Sequence, residues 1–336
     1  MTARQDVTEV ISSTETDAAT KAQLELSQEI LSFAVEHMSM SVGKRYRKYV
    51  ALDQPYVVWN VFAAKNNSTE GYTWCYPVVG CAPYRGFFAQ ADAEQLARSL
   101  AEEGLQTYLG GVPAYSTLGW FDDPLLSTFL HWPEPDLVNL LLHELAHGEV
   151  WAESDVVFNE SLASFVADEG LAQWASAHER SFPGYHLRQK EWQRFQGLLL
   201  RLKHALQTDY EAGGDGERIY QAFRQCYNEA RPSLGNGRFD ELVEERLNNA
   251  YLVSVATYAD LKPAFAELYR RENQNWSEFF RAANALADLA QEERDLAVSR
   301  LSPLASSPSA EHGIDGKGDN QSTEQVQCQA LSSHSR

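Results

Sequence analysis

The chain has 336 residues, of which 44% are hydrophobic and 11% aromatic, enough to bury a substantial core within one catalytic unit. Its formal net charge of -19 disfavours binding to nucleic acid or to anionic membrane surfaces, because both recruit basic patches. No run of about 18 apolar residues and no basic start followed by an apolar stretch is present. The sequence as written therefore predicts no membrane segment, no secretory signal and a cytoplasmic location.

The amino-terminal third predicts a short flexible segment followed by a mixed sheet. Residues 1–20 lack aromatic side chains and are rich in Thr, Ser, Glu and Asp, which favours a flexible amino terminus. From Leu24 to Met38 apolar residues recur at helical spacing and predict an amphipathic helix. Residues 21–134 are predicted to form an α+β part with strands over 56–64, 74–79 and 110–118 and a helix over 91–103.

After Pro135 the pattern is helical almost to the end of the chain. Helices are predicted around His143 and Glu160, over 187–209, over 216–230, after Phe239 and after Trp276. From Ser302 onward Ser, Gly, Gln and Asp dominate without one aromatic residue, which predicts a disordered tail over 302–336. The predicted fold class is therefore α+β, with a helical part over 135–301 that meets the sheet-containing part at a cleft.

Two cysteines flank a turn-forming segment. Cys75 and Cys81 lie six positions apart around Pro77 and Gly80, a spacing that allows a disulfide to close a small loop. The alternative is two buried free thiols, as expected in a reducing compartment. A zinc site at these cysteines is disfavoured, because no second pair or neighbouring His completes four ligands.

The most informative segment contains two histidines one helical turn apart. His143 and His147 lie at i and i+4, so a helix presents both imidazoles to one point in space. A zinc hydrolase commonly adds one Glu to two His and leaves the fourth position open for water. Glu144 follows the first His and would lie beside that water as a general base. Glu160 is the leading third ligand, because a turn after Gly148 would bring a second helix back alongside the first.

A five-residue pattern with two His and one Glu also arises by chance on surface helices. Here the flanking residues are apolar, so the helix is predicted to be buried, and buried His and Glu are costly without a partner. Four other acidic residues compete for the third position. Glu149 and Glu153 follow His147 too closely for the chain to turn back, and Glu169 requires a longer loop. Asp155 is the fourth competitor.

The pairing of His143-Glu144-Leu145-Ala146-His147 with the downstream Asn159-Glu160-Ser161-Leu162-Ala163 resembles the gluzincin metallopeptidases, the group that contains thermolysin and the large zinc aminopeptidases. More closely, the chain resembles the bacterial predicted aminopeptidase family over roughly residues 25 to 300. The matching runs lie within 56–64, 74–86, 110–124 and 247–258. The resemblance implies a zincin-like fold, one zinc ion per chain and peptide-bond hydrolysis, with a peptide as substrate and aminopeptidase activity as the expected specificity. Because some members begin with a membrane or lipoprotein anchor, it also implies a periplasmic or membrane-anchored location if the true start lies upstream.

The strand before the metal helix is expected to bind substrate. Gluzincins place an edge strand at this interval before the metal helix, and an extended peptide adds to it, so the resemblance implies that Tyr115 and Ser116 face the substrate. An interior strand followed by a structural turn at 119–124 is the alternative. Asp122 and Asp123 would either cap the next helix or bind a substrate amine, and the sequence leaves both roles open.

Zinc peptidases of this group also use a Tyr or His to donate a hydrogen bond to the developing oxyanion. Tyr258 is the first candidate because it belongs to the family-like segment, and Tyr251 is the second. A buried structural tyrosine is the alternative for either residue. Three other functions stay open: endopeptidase activity, hydrolysis of another amide or ester, and a non-catalytic scaffold stabilised by zinc. The scaffold is disfavoured because a closed structural site has no use for Glu144 and usually employs Cys.

Overall fold

A computed structural model describes residues 4–76, 80–114, 122–256 and 261–301 of the chain. The strands are β1 (Gln5–Asp6), β2 (Lys48–Val50), β3 (Val58–Lys65), β4 (Trp74–Tyr76), β5 (Gly80–Ala82), β6 (Tyr84–Phe87), β7 (Leu105–Val112) and β8 (Leu125–Leu126). The helices are α1 (Val7–Ser12), α2 (Ala18–Met38), α3 (Gln90–Glu102), α4 (Ser127–Leu130), α5 (Glu134–Ala146), α6 (Val156–Ala177), α7 (Pro183–Glu211), α8 (Glu217–Ala230), α9 (Asn249–Ala256), α10 (Lys262–Arg271), α11 (Trp276–Ala287) and α12 (Gln291–Ser299). A 3-10 turn (Arg231–Leu234) and a π-helical turn (Leu242–Arg246) lie between α8 and α9. This mixture confirms the predicted α+β class.

The sheet that positions the site has the order β6-β3-β7, with both strand pairs antiparallel. Because side chains alternate along a strand, each face of β3 has its own set of neighbours. Trp59, Val61 and Ala63 lie on the outer face and pack against Ala93 and Leu100 of α3. This arrangement confirms the predicted strand at 56–64 and the helix at 91–103, which differ from β3 and α3 by only one or two residues at each end.

Two smaller sheets lie apart from the central one. In the first, β2 pairs antiparallel with β1 and parallel with β8. In the second, β4 and β5 form a hairpin whose strands are joined by a disulfide between Cys75 and Cys81. Both cysteines are exposed, so the alternative of two buried free thiols is wrong.

Helices α5 and α6 form the centre of the largest core. Most apolar side chains of α5 are completely buried, among them Leu137, Val138, Leu141, Leu142 and Leu145. Gly170 of α6 allows the close approach, because a Cβ there would lie 2.6 Å from both Leu142 Cδ1 and Met38 Cε. The missing side chain thus lets α2 and α5 pack against one point of α6.

The carboxy-terminal helices pack around this centre in two groups. Helices α7 and α8 form a second core with residues up to α9, whose Ala250 and Val253 pack against Phe62 on the inner face of the central sheet. Helices α10 and α11 pack against α6, where Phe158 contacts Phe265 with 5.1 Å between ring centroids. The long predicted helices at 187–209 and 216–230 are confirmed as α7 and α8.

The amino-terminal segment differs from its prediction. Residues 1–20 were expected to be flexible, but β1 and α1 occupy residues 5–12 and bury Val7 and Val10 in the main core. Asp6 caps α1 by accepting a hydrogen bond from the Thr8 backbone N–H at 3.0 Å. Two valines in a six-residue helix give no periodic pattern, so this helix is stabilised by its cap and its tertiary contacts rather than by propensity.

The strand predicted at 110–118 begins earlier than expected. It overlaps β7, which begins at Leu105 and ends at Val112, and residues 115–118 lie outside the described residues. Gly110, the predicted first residue of the strand, lies inside β7. The predicted tail at 302–336 lies outside the described residues, and the division at residue 134 stays a prediction. Within the described ranges, no helix is both long and apolar enough to cross a membrane.

Candidate metal centre and cavity

Three side chains from α5, its carboxyl end and α6 converge on one point. The Nε2 atom of His143 lies 3.3 Å from Glu160 Oε2, and the Nε2 atom of His147 lies 3.6 Å from Glu160 Oε1. One ligand atom from each residue lies within 4.8 Å of the other two. Two imidazole nitrogens and a carboxylate at this separation can hold a metal ion. In the described part of the chain this is the one such group found.

The loop between the two helices is held by the residue before Glu160. The Asn159 side chain, which is buried, accepts a hydrogen bond from the Ala152 backbone N–H and donates one to the Ala152 carbonyl, both at 2.8 Å. Asp155 then caps α6 by accepting a hydrogen bond from the Phe158 backbone N–H at 3.0 Å. These bonds fix the turn and the start of α6, and therefore the direction from which Glu160 reaches the histidines.

A buried arginine from the last helix reinforces this loop. Arg294, only 3% exposed, donates to Asp155 Oδ2 at 2.8 Å and to the carbonyls of Ala287 and Leu289 at 3.0 and 2.8 Å. The guanidinium also lies 5.6 Å from the ring centroid of Phe158. Because the charge is buried with its donors satisfied, removing either partner would leave an uncompensated polar group.

A second buried arginine lies at the carboxyl end of α5. Arg45 donates to the carbonyls of Leu145 and Val42, both at 3.3 Å, and its charge complements the negative end of the helix dipole. Gly148 leaves room for this side chain, because a Cβ there would lie 2.1 Å from Arg45 Nη1. Glu149 lies 3.9 Å from the same guanidinium and accepts a hydrogen bond from the Ser41 backbone N–H.

The other acidic candidates for the third position are engaged elsewhere or point away. Glu149 and Asp155 bind Arg45 and Arg294, Glu153 is exposed, and Glu169 accepts a hydrogen bond from Gln173 at 2.9 Å. Glu160 is the carboxylate that the structure brings to both histidines.

The electrostatics of the group favour a metal ligand at His147 and a proton acceptor at Glu144. Burial, with the charge of His143 adding to it, lowers the pKa of His147 to about 4, so its ring is neutral at pH 7. Its Nδ1 atom is buried without a hydrogen-bond partner among the described residues. Burial raises the pKa of Glu144 to about 7, with the carboxylates of Glu160 and Asp123 adding to the effect and His143 opposing it.

His143 and Glu160 share one polar contact. Burial acts to lower the pKa of His143, but the hydrogen bond and charge of Glu160 outweigh it and raise the pKa. Burial likewise acts to raise the pKa of Glu160, but the same hydrogen bond and both imidazoles lower it. Protons and a metal ion would therefore compete for the same nitrogen of His143.

The group opens onto a cavity of about 550 Å³ between the inner face of the central sheet and helices α5 and α6. The sheet contributes the alternate residues Val58, Asn60, Phe62, Tyr84, Gly86, Tyr108, Gly110 and Val112. A second cavity of about 300 Å³ shares His143 and Glu144 and adds Trp132, Tyr185 and Gln189. His143 and Glu144 thus border both cavities. The wall residues from the sheet, with Trp132, Tyr185 and Gln189, come from distant segments and share no local pattern, so none of them could be assigned to the site from the sequence.

The remaining predicted site residues have different outcomes. Tyr115, Ser116 and Tyr258 lie outside the described residues. Ala114, which directly precedes Tyr115, lines both cavities. In the described part of the chain β7 lies at an edge of its sheet. Tyr251 is buried against Tyr108, with ring centroids 4.9 Å apart, and is absent from the residues found to line either cavity.

The two aspartates at 122 and 123 do not cap the following helix. Leu126 is the residue before α4, so the capping role considered from the sequence is wrong. Asp122 is exposed, whereas Asp123 is buried, accepts a hydrogen bond from the Tyr46 backbone N–H at 2.6 Å through its carbonyl, and raises the pKa of Glu144.

Comparison with protein families matches residues 1–298 to the family described as "Putative aminopeptidase". The chain belongs to this family. The match includes every helix and strand around the His143, His147 and Glu160 group, so the family assignment and the site geometry concern the same part of the chain. Searches of curated proteins and of solved structures gave no match. For a member of the putative aminopeptidase family, peptide hydrolysis is the reaction class that the name indicates.

The role of Asn159 can be tested by removing its side chain. We expect Asn159→Ala to lower the free energy of unfolding by about 1–3 kcal/mol, because both polar groups of Ala152 lose their partner. We also expect metal affinity to fall roughly 10- to 100-fold, because Glu160 is no longer held in place. Urea denaturation of metal-free protein and titration against a competing chelator measure the two effects. Asn228→Ala, on an exposed position of α8, is the control, and unchanged metal affinity in folded Asn159→Ala would contradict the assignment.

Proposed function

We propose that this chain is a zinc-dependent metallopeptidase of the gluzincin type that removes residues from the amino terminus of peptides. The observation that carries the proposal is the convergence of His143 Nε2, His147 Nε2 and the Glu160 carboxylate beside Glu144 on the wall of a cavity. Zinc hydrolases commonly bind the ion through two His and one Glu and leave the fourth position open for water. Structural zinc sites usually include Cys, and protein ligands fill all four positions.

The donor atoms fit a zinc ion. Both histidines approach Glu160 through Nε2, and the low pKa of His147 keeps that nitrogen available as a ligand at neutral pH. Partly buried polar groups of both signs are costly without a further partner, and an ion would supply one. A zinc ion bound there would polarise the substrate carbonyl and increase the acidity of water.

Glu144 is the proposed general base. Glu144 lines both cavities together with His143, and burial raises the pKa of its carboxyl, so the carboxylate is a stronger base than an exposed one. In the proposed reaction Glu144 accepts a proton from the attacking water and gives it to the departing amine. His143, His147 and Glu160 hold the metal during both steps.

The substrate is proposed to lie along the edge strand. β7 leads into Ala114, which lines both cavities beside the group, and β7 has no second partner strand among the described residues, so an extended peptide can add there. We propose that Tyr115 and Ser116 continue this contact and that Tyr258 donates a hydrogen bond to the oxyanion. The distinction between aminopeptidase and endopeptidase activity rests on the family name, so cleavage of a peptide library with sequencing of the products is the decisive assay. Release of single amino-terminal residues supports the proposal, whereas internal cuts or cleavage of esters alone contradict it.

A single site of three ligands should bind one zinc ion per chain. Purified protein should contain about one equivalent of zinc per chain, and His143→Ala or His147→Ala should contain little, because each removes a donor that the other two residues cannot replace. Elemental analysis after dialysis measures this. His204→Ala, which removes an exposed imidazole from α7, is the control and should bind zinc normally. Full zinc retention by Glu160→Ala would place the third ligand elsewhere.

If Glu144 is the general base and not a metal ligand, replacing it should lower turnover without lowering the zinc content. Glu144→Gln keeps the size of the side chain and removes its basicity, so it should retain zinc and lose at least about 10²- to 10⁴-fold in kcat. Steady-state kinetics and metal analysis on one preparation test this. The same substitution at the exposed Glu153 should have no effect, and wild-type turnover in zinc-loaded Glu144→Gln would refute the mechanism.

The two tyrosines offer a matched pair. Tyr258→Phe should lower kcat roughly 10²- to 10³-fold with little change in zinc content, because the hydroxyl acts only in the transition state. Tyr251→Phe removes a hydroxyl from a ring buried against Tyr108 and should leave turnover unchanged. Kinetics and melting temperatures of both variants distinguish the roles. A less stable Tyr258→Phe enzyme with normal kcat would assign that hydroxyl to structure.

A further inference from the structure

One row of the central sheet carries almost no side-chain volume on the face toward the metal centre. Asn60 of β3 pairs with Gly86 of β6 on one side and with Gly110 of β7 on the other. All three residues line the cavity of about 550 Å³. A single amide flanked by two glycines therefore forms a notch in the sheet, in the wall of the same cavity that His143 and His147 line.

The glycines of the notch are not required by the backbone. Neither Gly86 nor Gly110 has a positive φ, so ordinary residues could adopt the same conformation. Glycine inside a strand weakens it and often marks a place where a ligand approaches closely. Gly111 is different, because a Cβ there would lie 2.3 Å from the Tyr56 ring on the other face.

The two glycines of the notch have different neighbours. A Cβ on Gly86 would lie 3.0 Å from Asn60 Oδ1 and 3.1 Å from Val58 Cγ1, so that side of the notch is narrow. A Cβ on Gly110 would lie 3.3 Å from Tyr108 Cε1 and 3.8 Å from both Phe62 Cε2 and the Tyr108 hydroxyl, so that side is slightly wider and is bordered by aromatic side chains. Gly110 also lies in the strand that leads to the metal centre.

The next row of the same face is aromatic. Phe62 pairs with Tyr84 on β6 and with Tyr108 on β7, and Ala250 and Val253 of α9 pack on this row. The three aromatic residues also line the cavity beside the Asn60 row. An occupant of the notch would thus have aromatic rings along one side and would share the cavity with the His143, His147 and Glu160 group.

We propose that this notch binds the side chain of the substrate residue next to the scissile bond and selects a large aromatic side chain. The inference rests on the proposed function and specifies its substrate class. Aromatic side chains pack well against the edges and faces of other rings, and the rings of Phe62 and Tyr108 border the open side. A small side chain such as that of alanine leaves the notch empty and gains none of these contacts.

The test measures binding rather than turnover. Phenylalanine hydroxamate and alanine hydroxamate share a metal-chelating group and differ only in the side chain. With zinc-loaded wild-type protein, isothermal titration calorimetry should show at least about tenfold tighter binding of the phenylalanine compound. In Gly110→Val, whose branched side chain suits a strand and fills the notch, this preference should disappear through loss of affinity for the phenylalanine compound.

Two further variants make the result interpretable. Gly110→Ala adds a single methyl group and should lose part of the preference, which covers the case in which Gly110→Val folds poorly. Gly197→Ala lies in α7 with open space around it and should bind both compounds as wild type does. The proposed role of the notch would be wrong if folded Gly110→Val still bound phenylalanine hydroxamate more tightly than alanine hydroxamate by the wild-type factor. It would also be wrong if the variant lost affinity for both compounds equally.

The outcomes separate this inference from the proposed function. Tight, size-selective binding by a protein that cleaves no peptide would support the notch and contradict the peptidase proposal. Peptide cleavage without preference for a large residue would support the peptidase and contradict the notch. Failure of the zinc-loaded protein to bind either hydroxamate would contradict both.

Discussion

The contact between the Glu160 carboxylate and the imidazoles of His143 and His147 is the constraint around which the molecule is organised. It joins α5 to α6 through polar groups at distances of 3.3 and 3.6 Å, where the apolar core borders the cavity of about 550 Å³. Such groups are stable there only when each has a partner. The leucines of α5 pack into the core on the other faces of the helix, and burial raises the pKa of Glu144 to about 7. The same packing thus holds the polar group in place and alters the acidity of its neighbour.

Two buried arginines hold the loop between α5 and α6 in place. Arg45 binds the carbonyl end of α5, and Arg294 binds the residue that caps α6, so each end of the connecting loop has a buried cation. Asn159 fixes the middle of the loop through Ala152. A buried cation with satisfied donors specifies one geometry, because any other leaves charge or carbonyls without partners. The position of Glu160 follows from these three side chains.

The parts of the molecule that could be predicted from sequence are those with a local pattern. The spacing of His143 and His147 and the neighbouring Glu144 follow from helix geometry, and α7 and α8 follow from their periodicity. The first helix could not be predicted, because its stability comes from burial of Val7 and Val10 against distant residues. The buried arginines and the notch around Asn60 were missed for the same reason. Their meaning depends on strand register and long-range contacts, and neither leaves a periodic trace in the sequence.

The ion pair between Asp155 and Arg294 joins residues that are 139 positions apart. During synthesis the two histidines and Glu160 leave the ribosome well before the arginine that secures their loop. The nascent chain therefore carries His143, His147 and Glu160 while the turn between them still lacks its buried cation. Arg294 of α12 supplies that cation, so the complete set of contacts around the loop requires nearly the entire described chain.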